Sequence, residues 1–204
     1  MPAQDQISSL NLYANLLEEI KLRIDSINHC TLGLSGFAPP FVKDYCYLQI
    51  RMICELVALC CLVAHGDIQG TSGLKRAWSA QKIMEALERL HPQFYPQPVK
   101  QIKKDNGFHL EGLASPLPKS EFLKLYHKCD EALHRGSLRK LLKGQFPKQI
   151  NYPEITEKAQ KLNNLLSHHM LVMKNGQQMF IAMLHNKNDN MKAQVAIAEA
   201  LKPS

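Results

Sequence analysis

A long apolar stretch between Phe41 and His65 constrains the fold more than any other part of this chain. It consists mainly of Ile, Met, Leu, Val and Cys, yet Arg51 and Glu55 lie four residues apart inside it. Ionised groups among apolar side chains are costly unless they have partners. The pattern therefore predicts a largely buried helix. Its charged seam is either a narrow solvent-facing stripe or an ion pair joined to a group on another helix.

Composition places the chain among ordinary globular proteins. With 204 residues, of which 45% are hydrophobic and 21% charged, it is long enough for one domain with a full core. The six cysteines form no Cys-x-x-Cys pair, and four of them lie in the apolar stretch. They are typical of small core residues in a reducing compartment, and we expect neither a metal nor a cofactor.

The N-terminal residues lack a basic region followed by an apolar run, so they do not resemble a secretory signal. The longest uninterrupted apolar run, Leu56 to Ala64, is far shorter than the roughly 18 residues of a membrane-spanning helix. We therefore expect a cytoplasmic protein with no membrane partner.

Hydrophobic periodicity predicts five helices, at Ile7–Asn28, Phe41–His65, Lys75–Leu90, Ser120 to His134 or Arg135, and Pro153–Ser167. In the third of these, Trp78, Ile83, Leu87 and Leu90 form the helical pattern. Gly136 is expected to cap the C-terminal end of the fourth. Alternating residues on both sides of Asn106-Gly107, between Val99 and Leu113, predict a short hairpin.

The chain changes character after the last helix. From Met170, three segments with strand-like alternation are separated by turn residues, which predicts a three-strand antiparallel meander. The predicted fold class is mainly α (α+β): a helical bundle of about five helices, a short internal hairpin and the meander. We expect a bundle domain over residues 1–168 and a meander over 169–204 that packs on the bundle or on a partner. Because both faces of the middle strand are apolar, a homodimer through these strands is one alternative.

Positive charge is concentrated in one quarter of the chain. The net charge is +7, and eleven Lys and Arg against five Asp and Glu lie between Gln97 and Lys148. A basic surface attracts phosphate backbones. The residues expected to bind nucleic acid are Lys100, Lys103, Lys104, Arg135, Arg139, Lys140 and Lys143; solvated lysines with no ligand are the alternative.

Two segments, LQIRMICELVAL with Arg51 and Glu55, and LYHKCDEALHRG with Tyr126 and His134, resemble divergent members of the HEPN superfamily. These are small helical proteins of prokaryotes, many of them RNA-cutting toxins or defence proteins. The resemblance implies a helical core in which Arg51, Glu55 and His134 face one cleft, as a catalytic site or as a structural polar network. The family's Arg-x(4–6)-His motif is found here only as Arg23 to His29, a spacing that chance alone produces about once.

Three functions follow from these observations. The first is RNA binding or cleavage in a prokaryotic defence or toxin context, with His134 transferring a proton and Arg51 stabilising phosphate charge. The second is a non-catalytic interaction or dimerisation module. The third is a small-molecule sensor with a pocket beside the polar seam.

Overall fold

The computed structural model describes residues 3–66, 68–104, 107–134, 142 and 150–199. Within these ranges the protein is an α+β fold, with five α-helices and one five-stranded antiparallel sheet. The predicted class is confirmed: a helical bundle, a hairpin and a C-terminal antiparallel meander are all present.

The two longest helices, α1 (Ala3–Thr31) and α2 (Pro39–Ala64), form the centre of the bundle. α2 begins with two prolines, which suit a first turn whose N–H groups lack helical partners. Half of its 26 residues are buried, and it contacts α1 and each of the α-helices described below. α2 is long and apolar enough to cross a membrane, but so are the core helices of some soluble proteins. In this protein, 61% of its most apolar segment is buried inside the fold.

The third helix is shorter than predicted. A 3₁₀ turn covers Ser72–Arg76, the backbone is extended at Ala77 and Ser79, and α3 begins only at Ala80 and ends at Leu90. Trp78, which the sequence pattern included in this helix, lies outside α3, and its side chain is 70% exposed. Trp78 falls in the extended link between two helical pieces, so no helical face directs it inward.

The remaining helices are close to their predicted bounds. α4 covers Lys119–Leu133, and α5 covers Tyr152–Leu166. The side chain of Asn151 caps α5, since its Oδ1 accepts a hydrogen bond of 3.1 Å from the backbone N–H of Glu154. Gly136, expected to end α4, lies outside the described residues.

The sheet joins the hairpin to the meander. Its strand order is β2-β1-β3-β4-β5, and the strands are β1 (Gln97–Lys104), β2 (Gly107–Gly112), β3 (His168–Val172), β4 (Gln178–Asn186) and β5 (Lys192–Glu199). β1 pairs with β3 through Gln97 opposite Met170 and Pro98 opposite His169. A strand from before residue 168 thus pairs with the strands that follow it, and the division into two domains stays a prediction.

One face of the sheet packs on the helices through a buried polar contact. His169 is fully buried, and its Nδ1 lies 2.9 Å from the carbonyl oxygen of Leu166. A carbonyl only accepts, so Nδ1 carries the proton and Nε2 accepts the hydrogen bond of 2.8 Å from the hydroxyl of Tyr13 on α1. Burial lowers the pKa of His169 from its ordinary value near 6.5 to about 4, which keeps the ring neutral.

A second contact of α1 fixes the start of the edge strand β5. Glu18 accepts a hydrogen bond of 2.5 Å from the backbone N–H of Ala193, and Lys21 donates one of 2.6 Å to the carbonyl of Met191. Two side chains of α1 thereby bind backbone groups at the start of this edge strand.

Candidate functional site

Arg51 is the centre of a polar cluster that joins α2 to α4. Its Nε donates a hydrogen bond of 3.2 Å to Glu55, and its Nη2 lies 3.4 Å from the hydroxyl of Tyr126. Its Nη1 forms an ion pair with Asp130, and the Tyr126 hydroxyl donates a hydrogen bond of 3.2 Å to Glu55. The guanidinium also lies 5.3 Å from the centre of the Tyr126 ring. The sequence left two alternatives for the charged seam of α2. The structure shows the second of them, an ion pair joined to a group on another helix.

The cluster is partly withdrawn from solvent. The side chains of Arg51, Glu55 and Asp130 are 24%, 16% and 33% exposed. Burial raises the pKa of Tyr126, and the nearby Glu55 carboxylate raises it further, so the hydroxyl keeps its proton and can donate it to Glu55. All three nitrogens of the Arg51 guanidinium therefore face partners within the protein, two of them carboxylates.

His134, the third predicted catalytic residue, lies at the C-terminal end of α4. Its backbone N–H donates to the carbonyl of Asp130, and its side chain is exposed. Within the described ranges, the His134 imidazole forms no hydrogen bond to Arg51 or Glu55. The structure thus brings two of the three predicted catalytic residues into contact with each other and leaves the third apart from them.

Sequence reasoning did not pair Asp130 with Arg51, although Tyr126 and Asp130 are four residues apart on one face of α4. That spacing matches the spacing of Arg51 and Glu55 on α2, and two such pairs on adjacent helices can meet in one cluster. The sequence does not show that α2 packs against α4, because this contact joins residues about 75 positions apart in the chain.

Three of the residues predicted to bind nucleic acid lie on one exposed hairpin. Lys100, Lys103 and Lys104 are all exposed on β1. None of them forms an ion pair with a described residue, even though Glu111 lies across the hairpin from Lys100. The hairpin therefore presents three lysine ammonium groups that no described carboxylate contacts, and Glu111 places one negative charge opposite Lys100.

An exposed aromatic ring lies beside one of these lysines, Lys103, whereas Lys100 and Lys104 lie on the opposite face of the hairpin. Phe108 on β2 is 51% exposed and is the cross-strand partner of Lys103, so both side chains lie on the same face of the hairpin. The exposed His109 lies opposite Ile102 on the other face. Sequence reasoning missed Phe108, which the hairpin register could have placed next to a lysine.

Other lysines of this basic quarter are neutralised within the fold. Lys119 pairs with Glu88 on α3, Lys124 pairs with Glu121, and Lys128 pairs with Glu154 on α5. The ammonium groups of Lys128 and Lys158 lower the pKa of the Glu154 carboxyl to about 2. These lysines on α4 are thus paired with carboxylates, whereas the described lysines of the hairpin form no such pairs.

The last four predicted nucleic-acid ligands, Arg135, Arg139, Lys140 and Lys143, lie outside the described residues. Across the part of the chain that is described, no three His, Cys, Asp or Glu side chains are grouped so that they could hold a metal ion.

Comparison of the chain with protein-family models, with curated proteins and with solved structures finds no match in any of the three.

Proposed function

We propose that this protein binds single-stranded RNA through the β1–β2 hairpin. The observation that carries the proposal is an exposed phenylalanine beside Lys103, on a two-stranded ribbon whose three exposed lysines form no ion pair with a described carboxylate. Lysines attract the phosphate backbone, and an aromatic ring stacks on a base that is not already stacked in a duplex. Unpaired bases are accessible in single strands, which favours this form of nucleic acid over a duplex.

The Arg51 cluster favours binding without cleavage at that cluster. Arg51 already binds the carboxylates of Glu55 and Asp130, so an RNA phosphate would have to displace an internal partner to reach it. The resemblance to HEPN proteins agrees with an RNA ligand, and it supports the prokaryotic cytoplasm as the proposed setting. We assign the cluster the structural role of joining α2 to α4.

The binding test compares two triple-lysine variants. Fluorescence anisotropy of a labelled single-stranded RNA is measured over a salt series with the wild type and with the Lys100→Ala, Lys103→Ala, Lys104→Ala variant. The matched control replaces Lys82, Lys174 and Lys187, which are also exposed and have no acidic partner among the described residues. Both variants lose three positive charges, so only their location differs.

We expect the hairpin variant to reduce the slope of log K against log salt by about 2, because each contact with a single-stranded phosphate contributes about 0.7. The control should leave this slope close to that of the wild type. Equal loss of binding in both variants would show that net charge alone attracts the RNA, and the hairpin assignment would fail.

A second pair of variants tests the aromatic contact. Phe108→Leu keeps an apolar residue but removes the stacking surface, and we expect it to weaken binding by about 1–3 kcal/mol for one base. Trp78→Leu is the control, since Trp78 is also exposed but lies on the link before α3. A gel of the same RNA, which we expect to remain intact, tests the statement about cleavage.

A further inference from the structure

The face of the meander that points away from the helices is apolar. Cross-strand register places three rows of residues on it: Met170, Ile181 and Ala196; Val172, Met179 and Ala198; His168, Met183 and Gln194. Seven of these nine residues are apolar and none is a Lys, Arg, Asp or Glu. This outer face therefore differs from the usual solvated face of an antiparallel sheet, on which polar residues alternate with apolar ones.

The outer face is separate from the core of the protein. The opposite face of the same strands, with Leu171, Phe180 and Ala182, belongs to the hydrophobic core and packs on α1 and α5. Among the described residues, none of the seven apolar residues of the outer face belongs to that main cluster or packs against it, although Ile181 is itself buried. Five of the seven are half-buried, and Ala196, midway along β5, is exposed.

We propose that a second copy of this chain packs on the outer face, so that two meanders form a face-to-face sheet sandwich. A chain with net charge +7 opposes its own association through most of its surface. The outer face carries no charged residue, so two copies can meet there without bringing like charges into contact. Its three methionines are flexible enough to interdigitate with the same residues of the other copy.

The size of the face is compatible with this pairing. Three strands about 4.8 Å apart and about 20–30 Å long give an outline of about 400 Å². Because side chains project from the sheet, the accessible area is larger than this outline. Two such faces together bury about 1,000 Å² of accessible surface, which is the lower limit for a specific interface. We therefore expect a dimer that dissociates on dilution.

The test follows the mass of the full chain by sedimentation velocity and light scattering over a wide range of protein concentration. The variant Ala196→Glu places a like charge midway along the edge strand of both faces, and Asn15→Glu places the same charge on the exposed surface of α1. We expect the mass of the wild type and of Asn15→Glu to rise from one chain to two, and Ala196→Glu to raise the dissociation constant more than tenfold. Circular dichroism establishes that both variants are folded.

Chemical cross-linking gives a second readout. All six native cysteines are buried, so Ala196→Cys and Asn15→Cys each introduce one accessible thiol. A short bismaleimide should join two Ala196→Cys chains and leave Asn15→Cys single. A single-chain mass at every concentration, assembly beyond two chains, or an unaffected dimer in Ala196→Glu would each overturn the proposal. A protein that stays monomeric but binds a different partner on this face would overturn it as well.

Discussion

The buried His169 makes the stability of the protein sensitive to mild acid. Its pKa is lowered by burial to about 4, whereas the unfolded chain binds a proton near 6.5. Between these two values the unfolded state holds more protons than the folded state, so stability rises with pH. The stability that His169 contributes is therefore complete above pH 6.5 and is lost as the pH falls towards 4.

The size of the effect follows from the shift. A difference of about 2.5 pKa units at about 1.4 kcal/mol per unit corresponds to about 3.5 kcal/mol in all, of which about 2 kcal/mol is lost by pH 5. Carboxylates contribute little in this window because they titrate at lower pH. Burial also lowers the pKa of His168, which adds to the loss in the same direction.

The assay is urea unfolding followed by circular dichroism at intervals from pH 7 to pH 5. His169→Gln cannot titrate at this position, so its stability should be lower at pH 7 but should fall less steeply with acid. His134→Gln, which removes an exposed histidine, is the control for the loss of an imidazole. A wild-type free energy of unfolding that is constant over this range would refute the reasoning, as would an equal slope in His169→Gln.

Two further predictions concern the core helix α2. Arg51→Ala leaves the carboxylates of Glu55 and Asp130 without their cation, and we expect it to lower the free energy of unfolding by about 2–3 kcal/mol in denaturant titrations; Lys124→Ala, which removes an exposed ion pair, should cost less than about 0.5 kcal/mol. Equal losses of unfolding free energy in the two variants would show that the Arg51 cluster is as exposed to solvent as the Lys124 ion pair. Burial raises the pKa of Cys46 and Cys129 to about 12, and all six thiols are buried, so a thiol reagent at pH 8 should detect six thiols in unfolded protein and none rapidly in native protein. Fast reaction of any native thiol would contradict this packing.

Local pattern was sufficient to predict most elements of this fold. Regular apolar spacing predicted α2 as Phe41–His65, and the helix runs over Pro39–Ala64. The three C-terminal strands were predictable because turn residues such as Lys174-Asn175-Gly176 separate segments that alternate clearly. The third helix was predicted too long, since apolar residues at helical spacing on both sides of Ser79 conceal an extended link.

Pairing between distant segments was not predictable. The hairpin joins the meander through Gln97 and Pro98, whose partners lie about 70 residues later, and no local signal marks such a contact. The same holds for the candidate site. Arg51 and Glu55 were recognised as an unusual pair, but their link to Asp130 depends on which face of α4 packs on α2. Charge counting found the basic quarter of the chain, but only the packing shows which of its lysines are paired.

The proposed RNA binding is tested most directly by anisotropy of a labelled single-stranded RNA, measured over a salt series with wild type, the hairpin lysine variant and its control at Lys82, Lys174 and Lys187. The proposal predicts binding that weakens steeply with salt in the wild type and the control, and a slope smaller by about 2 in the hairpin variant. Absence of binding by the wild type at low salt, or identical slopes in the two variants, would contradict it.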